Sequence, residues 1–169
     1  FALETSSLFN AQTFVVSGSC NFTVNSGSNL VMGSVDGITT GAAGNIQVSG
    51  TRSFSTSGVY IYNAAANQTT GNALPSSIVS PGEIRINNTG AAGNNTTTLT
   101  TNNTTTIILR LQQGLFAAGT GQQINIATGG SVSFLAPGGN QSQAASAGYI
   151  NFVAADSGGY LLVPALRAA

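Results

Sequence analysis

The chain has no Lys, no His and no Trp, and carries one Cys, one Met and four Pro in 169 residues. Each absence closes a class of function. Without His, and with Cys20 alone, the usual ligand sets for zinc or copper cannot be built, so no metal and no cofactor is expected. A Ser-His-Asp triad lacks its base, and a Ser-Lys dyad and the common phosphate loop lack their Lys. General acid and base chemistry has almost no tunable groups to use, so the chain is not expected to be an enzyme. Four Arg (Arg52, Arg85, Arg110, Arg167) offset four acids (Glu4, Asp36, Glu83, Asp156), leaving a net charge of zero. Four scattered cations make neither a nucleic-acid stripe nor a polybasic membrane patch. No apolar run reaches the roughly 18 residues of a membrane-crossing helix. Neither nucleic-acid binding nor membrane insertion is expected. Cys20 cannot form an internal disulfide and is expected as a small buried side chain rather than a reactive thiol or an intermolecular bridge.

Charge is the scarcest commodity. Charged residues make up 5% of the chain, against about 25% in ordinary soluble domains. A folded monomer with so few surface charges and no net charge tends to associate, so the expected partner is the chain itself, as a homopolymer. At 41% apolar residues the sequence should nevertheless fold. It begins at Phe1 without Met, which reads as a matured chain whose leader has been removed, and secretion to the cell surface or beyond is the expectation.

What the chain does have is Gly, Ser, Thr and Asn at close intervals, with short β-like runs between them. Phe22/Val24, Ile46/Val48, Ile84/Ile86 and Ile124/Ile126 alternate with period two, one face inward and one outward. Similar runs at Leu30 to Val35, Val59 to Tyr62, Ile107 to Leu111 and Tyr160 to Val163 bring the total to about ten or eleven strands, with no helical window. The fold expected is a single-domain all-β sandwich or jelly roll. Residues 17–169 would form the sandwich and 1–16 an N-terminal segment. A short β-helix is the alternative, although Ile-x-apolar pairs beginning at Ile46, Ile84, Ile124 and Ile150 have no constant spacing. Asp36-Gly37 predicts a tight hairpin and Asp156 to Gly159 a longer one between Ile150 to Val153 and Tyr160 to Val163. The low-complexity stretch Gly93 to Thr106 reads either as two Thr-rich strands joined through Asn102-Asn103 or as a long exposed loop.

Asn-x-Ser/Thr sequons begin at Asn21, Asn67, Asn87, Asn94, Asn95, Asn102, Asn103 and Asn140. Glycans there, attached or bound, would wet a surface that lacks charge, while the plainer reading is that Asn and Thr are the polar residues of an uncharged β protein. Asn21 is read as a strand residue. Phe1, Leu3, Leu8, Phe9, Phe14 and Val15 are spaced so that the N-terminal segment could lie as a donated strand in a neighbouring subunit, or simply be the first strand of its own domain. Tyr160 to Leu166 is the second candidate connector. Tyr60 and Tyr62 share a strand face, and with Phe54 or Phe134 they would make either an aromatic sugar platform or a core pair. Arg85 and Arg110 alternate with apolar neighbours and should face outward, solvated or paired with an acid across an interface.

Gly44-Asn45-Ile46-Gln47-Val48-Ser49-Gly50 and Gly129-Gly130-Ser131-Val132-Ser133-Phe134-Leu135-Ala136-Pro137 resemble phrases in large secreted β-helical adhesins of the filamentous-haemagglutinin kind. The resemblance implies a secreted, β-rich surface protein and carries over no functional residue. The function expected is a structural subunit of an extracellular filament, pilus-like fibre or biofilm matrix, polymerising by strand exchange. A carbohydrate- or surface-binding adhesin module is the alternative, and a viral or phage capsid or spike protein the second.

Overall fold

The computed structural model describes residues 1–101, 104–134, 149–152 and 161–162, the last six of these and Phe134 by backbone alone. The chain winds in coils whose sides are short strands. The first coil holds β1 (Ala2–Leu3), β2 (Leu8–Asn10) and β3 (Val16–Gly18); the second holds β4 (Phe22–Val24), β5 (Asn29–Met32) and β6 (Ile46–Val48). The third holds β7 (Arg52–Phe54), β8 (Val59–Tyr62) and β9 (Gln68–Thr69), and the fourth β10 (Ser77–Ile78), β11 (Glu83–Asn87) and β12 (Thr96–Leu99). Next come the long β13 (Thr104–Gln113) with β14 (Leu115–Ala118), then β15 (Ile124–Phe134) with β16 (Tyr149–Phe152), and last β17 (Leu161–Leu162).

Strands pair with strands of a neighbouring coil, and every described pairing is parallel. The main sheet runs β17-β15-β13-β11-β8-β5-β2, with β10 beside β13; β1-β4-β7, β3-β6 and β16-β14-β12-β9 form the other sides. This overturns the sandwich or jelly roll, which is built from antiparallel neighbours. The in-and-out alternation was a sound reading of burial but says nothing about strand direction. Parallel sheets are usually covered on both faces and read as continuous apolar runs, whereas a coil leaves its outer face to solvent and so alternates like an antiparallel sheet.

The expected hairpins fail for the same reason. Gly37 does adopt φ +63°, but its turn is a corner: Ile38 N–H donates to Thr70 O on the next coil at 3.1 Å instead of starting a return strand. Asp156 lies outside the described residues, and the strands on either side of it, β16 and β17, belong to different sheets. Of the Thr-rich stretch, Thr96–Leu99 and Thr104–Gln113 are strands of different sheets, while Asn102 and Asn103 lie outside the described residues.

The missing period also has a cause. In the main sheet, Leu8 faces Asn29, Asn29 faces Val59, Val59 faces Glu83, Ile84 faces Leu109 and Leu109 faces Val132, which are coil lengths of 21, 30, 24, 25 and 23 residues. The strands stay in step, and the corners absorb the difference.

Inward positions stack into columns that form one core. Phe9, Leu30, Tyr60, Ile84, Leu109 and Val132 make one column, and Met32, Tyr62, Ile86 and Leu111 another. Tyr60 and Tyr62 are fully buried, their hydroxyls donating to Ser55 O at 2.6 Å and Thr70 O at 3.1 Å. Burial raises both phenol pKa values well above the ordinary 10.0.

One corner carries a recurring device. Asn45, Gln68 and Asn88 are buried, at the end of the main-sheet side of three successive coils. Each carboxamide NH2 donates to carbonyls of the coil before: Asn45 to Gln12 O and Phe14 O at 2.8 and 2.7 Å, Gln68 to Met32 O and Ser34 O at 3.0 and 2.7 Å, and Asn88 to Ala66 O at 2.7 Å. Each carboxamide oxygen accepts from its own coil, from Ser34 N, Ala64 N and Gly90 N respectively. Gln12 O, Met32 O and Ser34 O also accept from the backbone N–H groups of Gly33, Asn63 and Gly37, while Phe14 O, Ala66 O and the N–H groups of Ser34, Ala64 and Gly90 have these amides as their partners.

Candidate functional site: the open first coil and the outer face of the main sheet

Nothing among the described residues pairs with the outer edges of β1, β2 and β3. The same coil is where apolar side chains are left in water. Phe1, Leu8, Phe14 and Val15 are 57%, 66%, 75% and 51% exposed, and among the described residues only Val35 and Val79 of other coils join them as large exposed hydrophobics. Phe1 lies over the end of the core, its ring 5.3 Å from Phe9 and 5.5 Å from Phe22, and its ammonium donates to Asn21 O at 2.7 Å. Of the residues read as a joining strand, Leu3 is buried in the chain's own core and Phe9 packs against it; Phe1, Leu8, Phe14 and Val15 are exposed. The segment is thus paired on one side with the second coil and open on the other.

The outer face of the main sheet gathers the chemistry. Asn10, Val31, Ile61, Arg85, Arg110 and Ser133 form one outward row, each facing the next across adjacent coils. Glu83, two residues before Arg85, turns to the same face, and its side chain is 7% exposed. Its Oε1 lies 2.6 Å from Arg85 Nε and 3.1 Å from Arg110 Nε. Only the first is an aligned hydrogen bond; Arg110 Nε is buried and donates to nothing. One carboxylate therefore sits between two guanidiniums, and the cluster carries one positive charge in excess. Arg52 makes a useful contrast, since all three of its guanidinium nitrogens donate, to Val48 O, Thr39 O and Gly41 O at 2.6 to 2.9 Å.

Beside the cluster runs a shallow groove of about 420 Å³, with Val31 and Ile61 on its floor and Asn10, Asn29, Asn63, Asn87 and Gln112 among its walls. Asn87 Nδ2 donates to Asn63 Oδ1 at 2.9 Å, so the two amides stack from coil to coil.

No protein-family model, no curated protein and no solved structure matches the chain. Its chemistry has to be read from its own residues.

The sequons divide by geometry. Asn21, Asn67 and Asn94 are exposed, and only their carboxamide oxygens are engaged, with Thr51 N, Thr96 N and Asn67 N. Asn21 immediately precedes β4 rather than lying within it. Asn87 is half-buried with its Nδ2 already donating, and Asn95 is half-buried with its Oδ1 enclosed and unpaired. Asn102, Asn103 and Asn140 lie outside the described residues, as do Arg167 and most of Tyr160 to Leu166. The aromatic platform does not form on Tyr60 and Tyr62, which are core residues; Phe54 is half-buried, and the side chain of Phe134 is outside the description. Cys20, expected buried, is exposed. Among the described residues no three His, Cys, Asp or Glu side chains gather as a metal site, and no helix is long and apolar enough to cross a membrane.

Sequence reasoning missed Asn45, Gln68 and Asn88. Asn was read as a turn residue or a sequon, and only the coil register reveals that three amides separated by 23 and 20 positions occupy one corner. The pairing of Glu83 with Arg85 was accessible, because residues two apart share a strand face. Arg110 could be added only with the register in hand.

Proposed function

We propose that the chain is a structural segment of an extracellular rod or fibre, in which copies stack end on end and a coil of one copy covers the open first coil of the next. The observation that carries this reading is the outer edge of β1, β2 and β3, paired by none of the described residues, together with Phe1, Leu8, Phe14 and Val15 in solvent on the same coil. A free strand edge is a template for another strand, and proteins that stay monomeric usually guard it with Lys, Pro or other charges. Here Glu4 is the one charged side chain in residues 1–18.

Because residues 2–3, 8–10 and 16–18 are already paired within their own chain, the joining step is edge addition rather than donation of a strand out of the fold. Fully burying an apolar side chain is worth about 1.5–3 kcal/mol, so four partly exposed ones offer about 4–8 kcal/mol. Association costs about 4–15 kcal/mol, which makes a single contact weak and strongly concentration-dependent before main-chain pairing is added. Head-to-tail stacking leaves an edge free at each step and grows; head-to-head stacking closes at a dimer. A low-charge surface, three exposed sequon asparagines and few sites for proteases that cut after Lys or Arg support an extracellular setting.

The test is sedimentation velocity and electron microscopy of the untagged chain over a wide concentration range, beside Leu8→Lys and Phe14→Lys variants. An open series of masses, or fibres, lost in the Lys variants is expected. A species that stops at a dimer refutes head-to-tail growth, and a concentration-independent monomer refutes stacking altogether.

A further inference from the structure

The outer face of the main sheet gives only Leu8, on its edge strand, to end-to-end stacking, yet two of the chain's four Arg converge on it. We propose that this face binds a linear acidic polysaccharide, whose carboxylate pairs with Arg85 and Arg110 while the sugar chain lies in the adjoining groove.

Three observations converge. The first is charge. Arg85 and Arg110 stand in register on adjacent coils and share a single carboxylate oxygen, so one counter-charge is missing. Among the described residues their terminal nitrogens donate to nothing, although the two side chains are 25% and 33% exposed and can reach a ligand. A guanidinium fork is suited to a planar carboxylate.

The second is Arg110 Nε, a buried donor with no aligned acceptor. Such a group is costly to leave unmade, and an anion above the pair would let the guanidinium turn into better alignment. The third is the groove. Val31 and Ile61 are each 7% exposed and offer a flat aliphatic floor for the C–H face of a pyranose. Asn63 Nδ2 and Asn87 Oδ1, left over from the bond between these amides, are a donor and an acceptor for hydroxyls. Successive rungs of the face recur at about 4.8 Å, a spacing close to the length of one sugar residue. Arg85 and Arg110, one rung apart, are therefore spaced for successive residues of a sugar acid chain, whereas an extended acidic peptide presents side chains on one face only about every 6.6 Å.

The experiment is calorimetric titration of the whole chain with polygalacturonate, polyglutamate, dextran and monomeric galacturonate, at low and high salt. Polygalacturonate is expected to bind, more weakly at high salt, with dextran silent and the monomer much weaker. Arg110→Gln should weaken polygalacturonate binding by about tenfold or more, the loss of one charge-assisted contact. Glu83→Gln should strengthen it by a similar factor, because it removes the competing internal carboxylate. That gain separates a binding role from a structural one, since a variant that merely loosens the sheet would not bind better. Circular dichroism and a melt on each variant establish that it is folded. Equal binding of polyglutamate would overturn the saccharide assignment, dextran binding would overturn the role of charge, and no binding by wild type and E83Q alike would overturn the site. None of these outcomes depends on the oligomeric state, so stacking and binding stand or fall separately.

Discussion

The corner amides make a quantitative prediction. Asn45→Ala removes three hydrogen bonds at once, leaving Phe14 O and Ser34 N without partners and Gln12 O with Gly33 N–H alone, beside a residue that is fully buried. Each buried group left unpaired costs about 1–3 kcal/mol. Gln12 and Phe14 are exposed residues of the first coil, so their carbonyls can recover part of that from water. The expected loss is then about 3–4 kcal/mol, a large share of the about 5–15 kcal/mol that holds a typical domain. Asn72→Ala is the control. Its Oδ1 accepts from Thr40 N at 2.9 Å and it too links neighbouring coils, but it is exposed, and the loss should stay below about 1 kcal/mol. Urea unfolding followed by far-ultraviolet circular dichroism would give both values. If the two variants lie within about 1 kcal/mol of each other, buried amides do not hold the corner and the reasoning fails.

Other predictions follow the same logic. Tyr60 and Tyr62 have folded pKa values raised above the unfolded value near 10, so the native state holds their protons more tightly. The stability they protect is complete below pH about 10 and falls above it, by about 1.4 kcal/mol per pH unit for each phenol; alkaline melts of Tyr60→Phe and Tyr62→Phe should show a shallower decline than wild type. Gly37→Ala should destabilise by well over about 1 kcal/mol, since φ is +63° and a Cβ would lie 2.3 Å from Thr69 O, while Gly93→Ala, with φ +83° and open space, should cost only about 1 kcal/mol. Thermal melts would compare the two. Expressed through a glycosylating route, the chain should carry sugar first at Asn21, Asn67 and Asn94, where Nδ2 is free and exposed, and peptide mass mapping that finds Asn87 occupied ahead of them would contradict the geometry.

What was legible in the sequence was the sidedness of each strand. Phe22 and Val24, Ile46 and Val48, Ile84 and Ile86, and Ile124 and Ile126 are all buried, as their alternation indicates. Strand direction was not legible, because neighbours in the sheet are a full coil apart and no local pattern links Val59 to Glu83. The coil length was hidden by the corner from Gly33 to Gly44, which lengthens one turn and leaves the pairing of β5 with β8 intact. Asp36-Gly37 misled for a related reason. The dipeptide specifies a sharp turn, and whether the chain then returns beside itself or continues around a corner is decided by Thr70 on the next coil. The Glu83, Arg85 and Arg110 cluster was half visible, as a strand-face pair missing its third member.

Parallel stacking also fixes how such a rod would respond to force. The hydrogen bonds between coils point along the stacking axis, so tension on the two ends loads them in line and opens the edge coil first rather than shearing a whole sheet. Each coil of 21 to 30 residues that lets go exchanges one rung of the ladder for its own contour. At about 3.3–3.6 Å per residue that contour is about 70–110 Å, against the roughly 4.8 Å of axis it had occupied. A fibre built of these segments would lengthen in discrete steps set by its corners, with long-cornered coils yielding the most slack.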